Sequence, residues 1–83
     1  MSRTVTLYTR AGCHLCEAAE RVLRQEQAAT PFRLELVDID RDPELARRYG
    51  VRVPVLALDG EDLFDYEVPV DLLRARLGGV GAD

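Results

Sequence analysis

The residues with the clearest chemical potential are Cys13 and Cys16, the two cysteines of the chain. Two residues separate them, so in a helix they would lie about one turn apart on the same face. An alternating pattern over residues 3–9 predicts a strand just before them, and an apolar periodicity over residues 15–26 predicts a helix that begins at them. A Cys-x-x-Cys pair at such a junction is typical of a redox-active dithiol.

The position of Cys13 at the start of the helix predicts that it is the nucleophile. The first backbone N–H groups of a helix lack intrahelical partners, and the helix dipole favours an anion there by roughly 0.3–1 kcal/mol. Both effects favour a thiolate, which is the form that attacks disulfides. Cys16 lies one turn further on, and we expect it to be better buried and to resolve the mixed disulfide that Cys13 forms.

Other roles for this pair are buried core cysteines or a metal site. A structural zinc site needs four ligands, whereas Cys13, His14 and Cys16 supply only three, which leaves a site shared between subunits as the metal alternative. As an imidazolium, His14 would favour a neighbouring thiolate, but a cation at a helix N-terminus is disfavoured, and a solvated spacer is the other interpretation. We expect no metal and no bound cofactor.

Length, composition and charge limit the class of protein. With 83 residues, of which 47% are hydrophobic and 31% charged, the chain predicts a single globular domain over 1–83, with a core of about 3–77 and a frayed C-terminal tail. The net charge of −4 argues against nucleic acid as a partner. No apolar run approaches ~20 residues and no signal-peptide pattern is present, so we expect a cytoplasmic protein without a membrane partner.

The patterns along the chain predict the order β-α-β-α-β-β-α. Beyond the first strand and helix, the predicted elements are a strand over 32–39, a helix capped by Asp42 and stopped at Gly50, a strand over 51–58, a type I′ turn at Asp59-Gly60, a short strand at 63–64 and a helix over 71–77. The first two strands should be parallel and the last two a hairpin. The expected fold is therefore α/β, a four-stranded mixed sheet with helices on both faces.

With this order, the chain resembles a small bacterial glutaredoxin-like protein of the thioredoxin-fold superfamily. Three segments carry the resemblance. Residues 10–16, Arg-Ala-Gly-Cys-His-Leu-Cys, are similar to a glutaredoxin active site, residues 38–51 are similar to the second strand and helix of thioredoxins, and Arg52-Val53-Pro54 matches the Thr-Val-Pro of glutaredoxins, whose proline is cis. The resemblance implies a thioredoxin-like fold and a monomeric thiol–disulfide oxidoreductase, with glutathione as a possible co-substrate.

The resemblance also implies which residues bind the substrate, a disulfide-containing protein or a glutathione mixed disulfide. Arg10 would meet a substrate carboxylate or the thiolate, with a solvated surface position as its alternative, and Val53 would meet the substrate backbone beside Pro54. Glu67 would hold an amino group. The predicted substrate-binding residues are Arg10, His14, Leu15, Val53, Pro54 and Glu67.

One departure from the glutaredoxin pattern bears on the substrate. Phe64 and Asp65 occupy the places of two glycines that admit the γ-glutamyl end of glutathione, so we expect weak glutathione binding and better activity on protein disulfides. The electrons would come from a soluble thiol such as glutathione or from a reductase. The alternative function is a thioredoxin-fold adaptor, a binding module with little redox turnover.

Overall fold

In a computed structural model that describes residues 3–65 and 68–77, four strands, three α-helices and one 3₁₀ turn follow one another in the predicted order. The predicted fraying concerns residues 78–83, which lie outside the described residues. The elements are β1 (Thr4–Thr9), α1 (His14–Ala29), β2 (Arg33–Asp38), the 3₁₀ turn (Ile39–Arg41), α2 (Pro43–Tyr49), β3 (Val55–Leu58), β4 (Glu61–Asp65) and α3 (Val70–Arg76).

The four strands form one mixed sheet in the order β2-β1-β3-β4. β1 and β2 are parallel, from the Thr4–Arg33 pair to the Thr9–Asp38 pair, whereas β3 is antiparallel to both β1 and β4. Helix α1 is the crossover between the parallel strands, as the β-α-β pattern requires. The predicted four-stranded mixed sheet is confirmed.

Alternation along β1 separates two apolar clusters on opposite faces of the sheet. Val5 and Leu7 are fully buried in the larger cluster, which includes side chains of α1 and α3. Tyr8 points to the other face and packs on a smaller cluster of Ile39, Tyr49 and Val55, on the side of α2. Because both faces are covered, the loops at the carboxyl end of β1 are where chemistry can reach solvent.

The predicted boundaries differ from the observed ones where proline or a tight turn intervenes. β3 begins at Val55 rather than at residue 51, because Pro54 has no N–H for the ladder. Residues 39–41, predicted as the end of a strand and a loop, form the 3₁₀ turn. The type I′ turn is as predicted, with φ of 50° at Asp59 and 90° at Gly60.

Asp42 caps α2 as predicted, with its carboxylate accepting the Glu44 N–H at 2.9 Å. Among the described residues, no helix is both long enough and apolar enough to cross a membrane.

Candidate active site

The dithiol is carried on a β-turn that joins β1 to α1. The Cys13 N–H donates to the Arg10 carbonyl at 3.2 Å, and Gly12, the third residue of the turn, has a φ of 78°. A type II turn needs a positive φ at this place, which glycine adopts without steric cost. The turn therefore fixes Cys13 three residues after Arg10 and directly before the helix.

Cys13 is the N-cap residue of α1. Its extended backbone (φ −93°, ψ 107°) directs the side chain back over the first turn, where Sγ accepts the Cys16 N–H at 3.0 Å. A hydrogen bond from a free helix N–H stabilises negative charge on its acceptor. The predicted location at the helix start is thus what the structure shows.

Cys13 and Cys16 form a disulfide, with their Cα atoms 5.2 Å apart. Cys16 is 2% exposed, whereas Cys13 is only half-buried. The fold thus brings the two sulfurs into bonding contact and gives them unequal access to solvent. This arrangement is that of a thiol–disulfide redox site, and the assignment of Cys13 as nucleophile and Cys16 as resolving thiol stays a prediction.

The two residues between the cysteines lie on the surface at the start of α1. The His14 side chain is 96% exposed, and its Nδ1 lies 3.9 Å from Oε1 of Glu17. Leu15 is 56% exposed, and Val51, which lies before Pro54, is 88% exposed. Both apolar side chains are therefore largely accessible from solvent.

Arg10 lies in a network that sequence reasoning did not foresee. Its Nε and Nη2 donate to the Asp40 carboxylate at 2.9–3.2 Å, and its Nη1 donates to the Gly50 carbonyl at 2.9 Å. The hydrogen bonds and charge of Arg10 lower the pKa of Asp40, and the same contacts raise that of Arg10. The structure therefore places Arg10 on an internal carboxylate, a partner that neither earlier interpretation included.

Gly50 also does more than end α2, its predicted role. A Cβ atom at this position would lie 2.5 Å from the Ala46 carbonyl oxygen and 3.7 Å from Nη2 of Arg10. Glycine therefore lets the chain pass close to α2 while its carbonyl accepts from Arg10.

Val53 and Pro54 lie at the same end of β1 as the dithiol. The peptide bond between them is cis. Pro54 is buried, and Val53 packs against the cluster of Ile39, Tyr49 and Val55. Because Val55 pairs with Tyr8, the segment before it runs alongside the strand end that leads into the Arg10–Cys13 turn.

Phe64 and Asp65 are both engaged with neighbouring residues. Phe64 packs on the larger core cluster, and a register shift in the β3–β4 pairing lets Leu63 pack there as well. Asp65 accepts from Nε of Arg52 at 3.2 Å, so its charge is offset. A shallow depression is lined by Leu63, Phe64, Asp65 and Pro69. Glu67, the remaining predicted substrate-binding residue, lies outside the described residues.

Sequence reasoning missed Asp40 as a partner of Arg10. The signal was present, because parallel pairing brings the carboxyl ends of the first two strands together, and an acid there follows a basic residue on the neighbouring strand. The rings of Tyr8 and Tyr49 stack on the same face of the sheet, with centroids 4.4 Å apart. The Tyr49 hydroxyl donates to Asp62, and burial, followed by this carboxylate, raises the pKa of Tyr49 to about 12.

Over residues 3–65 and 68–77, no group of three or more histidine, cysteine or acidic side chains is arranged to hold a metal ion.

Known proteins resemble this chain over most of its length. Uncharacterized protein Rv0508 of Mycobacterium tuberculosis is 36% identical, and the match covers 93% of this chain and 86% of that protein. The solution structure of protein Ne2328 from Nitrosomonas europaea matches with a TM-score of 0.81 and 37% identity over 92% of each chain. A mutant thioredoxin from Halobacterium salinarum matches with a TM-score of 0.67 and 27% identity, over 93% of this chain and 73% of that one.

The family model described as Glutaredoxin-like domain (DUF836) matches residues 4–78, which include the dithiol, the Val53–Pro54 bond and all four strands. The sheet order and the three helices also match those of thioredoxins. The chain therefore belongs to the glutaredoxin-like (DUF836) family, within the thioredoxin-fold superfamily.

Proposed function

We propose that the protein is a thiol–disulfide oxidoreductase that reduces disulfides with the Cys13–Cys16 dithiol. The observation that carries the proposal is the pair itself: a half-buried N-cap sulfur bonded to a buried sulfur at a strand–helix junction. Its membership of a glutaredoxin-like family and its likeness to a thioredoxin support the same chemistry.

The reaction needs two exchange steps. The Cys13 thiolate attacks one sulfur of the substrate disulfide, whose S–S bond breaks to release a first thiolate, which takes a proton from water. The Cys16 thiol then loses its proton and attacks the Cys13 sulfur, which closes the protein disulfide and releases the second substrate thiol. Two electrons pass to the substrate, and an external thiol such as glutathione, or a reductase, must return them.

The surroundings of the dithiol favour a protein disulfide over a glutathione mixed disulfide as substrate. Leu15 and Val51 offer apolar contact area to a peptide, and the segment at Val53 lies beside the end of β1, where an extended chain could pair with it. Phe64 fills the place where a small residue would admit a ligand carboxylate, and the Asp65 carboxylate next to it, already paired with Arg52, offers such a ligand no hydrogen-bond donor. Together these features support weak glutathione binding.

The experiment has two parts, the reduction potential of the pair and the turnover of two substrates. We expect a potential in the range of known oxidoreductases, about −120 to −270 mV, and faster reduction of a protein disulfide than of a glutathionylated peptide. Replacing both Phe64 and Asp65 by glycine should raise the rate with the glutathionylated peptide selectively. A potential below about −300 mV with no turnover would favour an inert disulfide in an adaptor module.

A further inference from the structure

Both members of the Arg10–Asp40 ion pair are held in place by hydrogen bonds to other residues. All three guanidinium nitrogens of Arg10 donate, two of them to Asp40 and one to the Gly50 carbonyl. On the other side, the Asp38 carboxylate accepts the Asp40 N–H at 3.0 Å and caps the 3₁₀ turn, whose Ile39 is fully buried. The carboxylate of Asp40 is thereby held in the bidentate geometry that an arginine offers to a carboxylate ligand.

The pair lies close to the nucleophile and remains accessible. A β-turn keeps its first and fourth Cα atoms within about 7 Å, so the backbone of Arg10 lies that close to the backbone of Cys13. The side chains of Arg10 and Asp40 are 38% and 46% exposed, so a charge on an incoming substrate can interact with either of them.

Asp40 therefore sets the charge that a substrate meets beside Cys13. Arg10 is the arginine nearest to Cys13 in the sequence, and its charge is paired with that of Asp40. Glu17, whose N–H donates to the Cys13 carbonyl, and Asp38 add negative charge, while the exposed imidazole of His14 faces Glu17. Of the groups in this network, the three carboxylates of Asp40, Glu17 and Asp38 outnumber the one guanidinium of Arg10, so together they carry a negative charge.

We infer that Asp40 is a specificity-determining residue, which occupies Arg10 and thereby selects against small anionic disulfides. The inference rests on the proposed disulfide chemistry of Cys13. Substrates that dock through backbone and apolar contacts do not need the guanidinium, whereas a small disulfide carrying carboxylates would have to displace Asp40 or approach a negative surface. Asp40 would thus affect which class of disulfide reacts faster, without contacting the sulfur atoms that react.

The test follows the oxidation of the reduced protein by three small disulfides that differ in charge. The probes are the anionic disulfide of mercaptopropionate, the neutral disulfide of mercaptoethanol and the cationic disulfide cystamine. Asp40→Asn keeps the size and one hydrogen-bond acceptor but removes the charge. We expect this variant to raise the ratio of the rate constant for the anionic probe to that for the neutral probe about tenfold. The ratio of the cationic to the neutral rate constant should fall, and both changes should disappear at high salt.

Two further variants separate this role from a general charge or folding effect. Glu35→Gln removes one negative charge from the middle of β2, away from the strand end, and should leave the ratios nearly unchanged. Arg10→Gln combined with Asp40→Asn should lose the gain with the anionic probe. Unchanged ratios in Asp40→Asn, or an equal change in Glu35→Gln, would overturn the inference. If the wild type reacts with none of the probes, it is the proposed function that fails.

Discussion

At the scale of single residues, the two sulfurs differ in what surrounds them. The Cys13 sulfur accepts a helix N–H and is partly accessible, whereas Cys16 is enclosed by the first turn of α1 and the core. We therefore expect an incoming disulfide to reach Cys13 first, and the mixed disulfide would then lie within one helical turn of the second thiol. In the proposed reaction, the order of access would matter as much as the intrinsic reactivity of each thiol.

The unequal access of the two sulfurs predicts which variant traps a substrate. Cys16→Ser should accumulate a mixed disulfide through Cys13, because no resolving thiol remains, and Cys13→Ser should accumulate none. Mass spectrometry of the unreduced mixture measures both. Alkylation of the reduced wild type at about pH 6 provides the control, since Cys13 should be modified first. Equal trapping by both variants, or equal alkylation of both thiols, would contradict the assignment.

At the scale of elements, α1 must be held firmly for its N-terminus to present the dithiol. A buried carboxylate near its other end, Glu26, accepts from Nε and Nη2 of Arg74 at 2.7 and 2.9 Å and so joins α1 to α3. The hydrogen bonds from Arg74 are the main reason that the pKa of Glu26 lies below its ordinary value. The two residues of this ion pair are 48 positions apart in the sequence, so the pair connects distant parts of the chain.

The Glu26–Arg74 pair predicts a pH-dependent contribution to stability. Arg74→Gln should lower the free energy of unfolding at pH 7 by about 1–3 kcal/mol, because it leaves a buried carboxylate without its cation. We expect the lower end, since the Arg74 side chain is 57% exposed. A group whose pKa is lowered by folding stabilises the folded protein when the pH is above its unfolded pKa, here 4.5. This contribution is lost as the pH falls through the folded pKa.

Urea unfolding of wild type and Arg74→Gln at several pH values measures this difference. The gap between the two proteins should be widest near neutrality and should close as the pH falls through the folded pKa of Glu26, which lies below 4.5. Arg76→Gln, an exposed position on the same helix, removes the same charge and should have little effect. A gap that stays constant with pH would show that Arg74 stabilises through packing alone.

At the scale of the whole molecule, periodicity, caps and turn residues predicted the element order and the sheet. They succeeded because each is a local signal, such as Asp42 at a helix start or Asp59-Gly60 in a hairpin. The partner of Arg10 was missed because the contact is not local: parallel pairing brings the two strand ends together, but the contact also depends on how the 3₁₀ turn after β2 folds back toward β1. Likewise, Asp62 meets Tyr49 only when β4 lies beside β3 and α2 covers that face.

The alkaline stability of the whole molecule should depend on few ionisable groups. The chain has no lysine, and both cysteines are in the disulfide, so in the oxidised protein tyrosines are the side chains that titrate between about pH 9 and 12. Folding raises the pKa of Tyr49 from 10.0 to about 12, by burial first and by Asp62 second. A group whose pKa is raised by folding contributes its full stabilisation below its unfolded pKa. That contribution is lost as the pH rises through its folded pKa.

The free energy of unfolding of the oxidised protein should therefore stay level up to about pH 10 and fall between pH 10 and 12. Tyr49→Phe keeps a ring to stack on Tyr8 but cannot ionise, so it should be less stable at pH 7 and show a shallower alkaline fall. Urea unfolding gives the free energies. In a pH titration followed by the ultraviolet absorbance of tyrosinate, the step at the highest pH should be missing from this variant. Asp62→Asn, which removes the carboxylate, should move that step to lower pH. An alkaline fall of the same size in Tyr49→Phe would mean that other groups control it, and the buried hydroxyl would then have no part in the pH dependence of the fold.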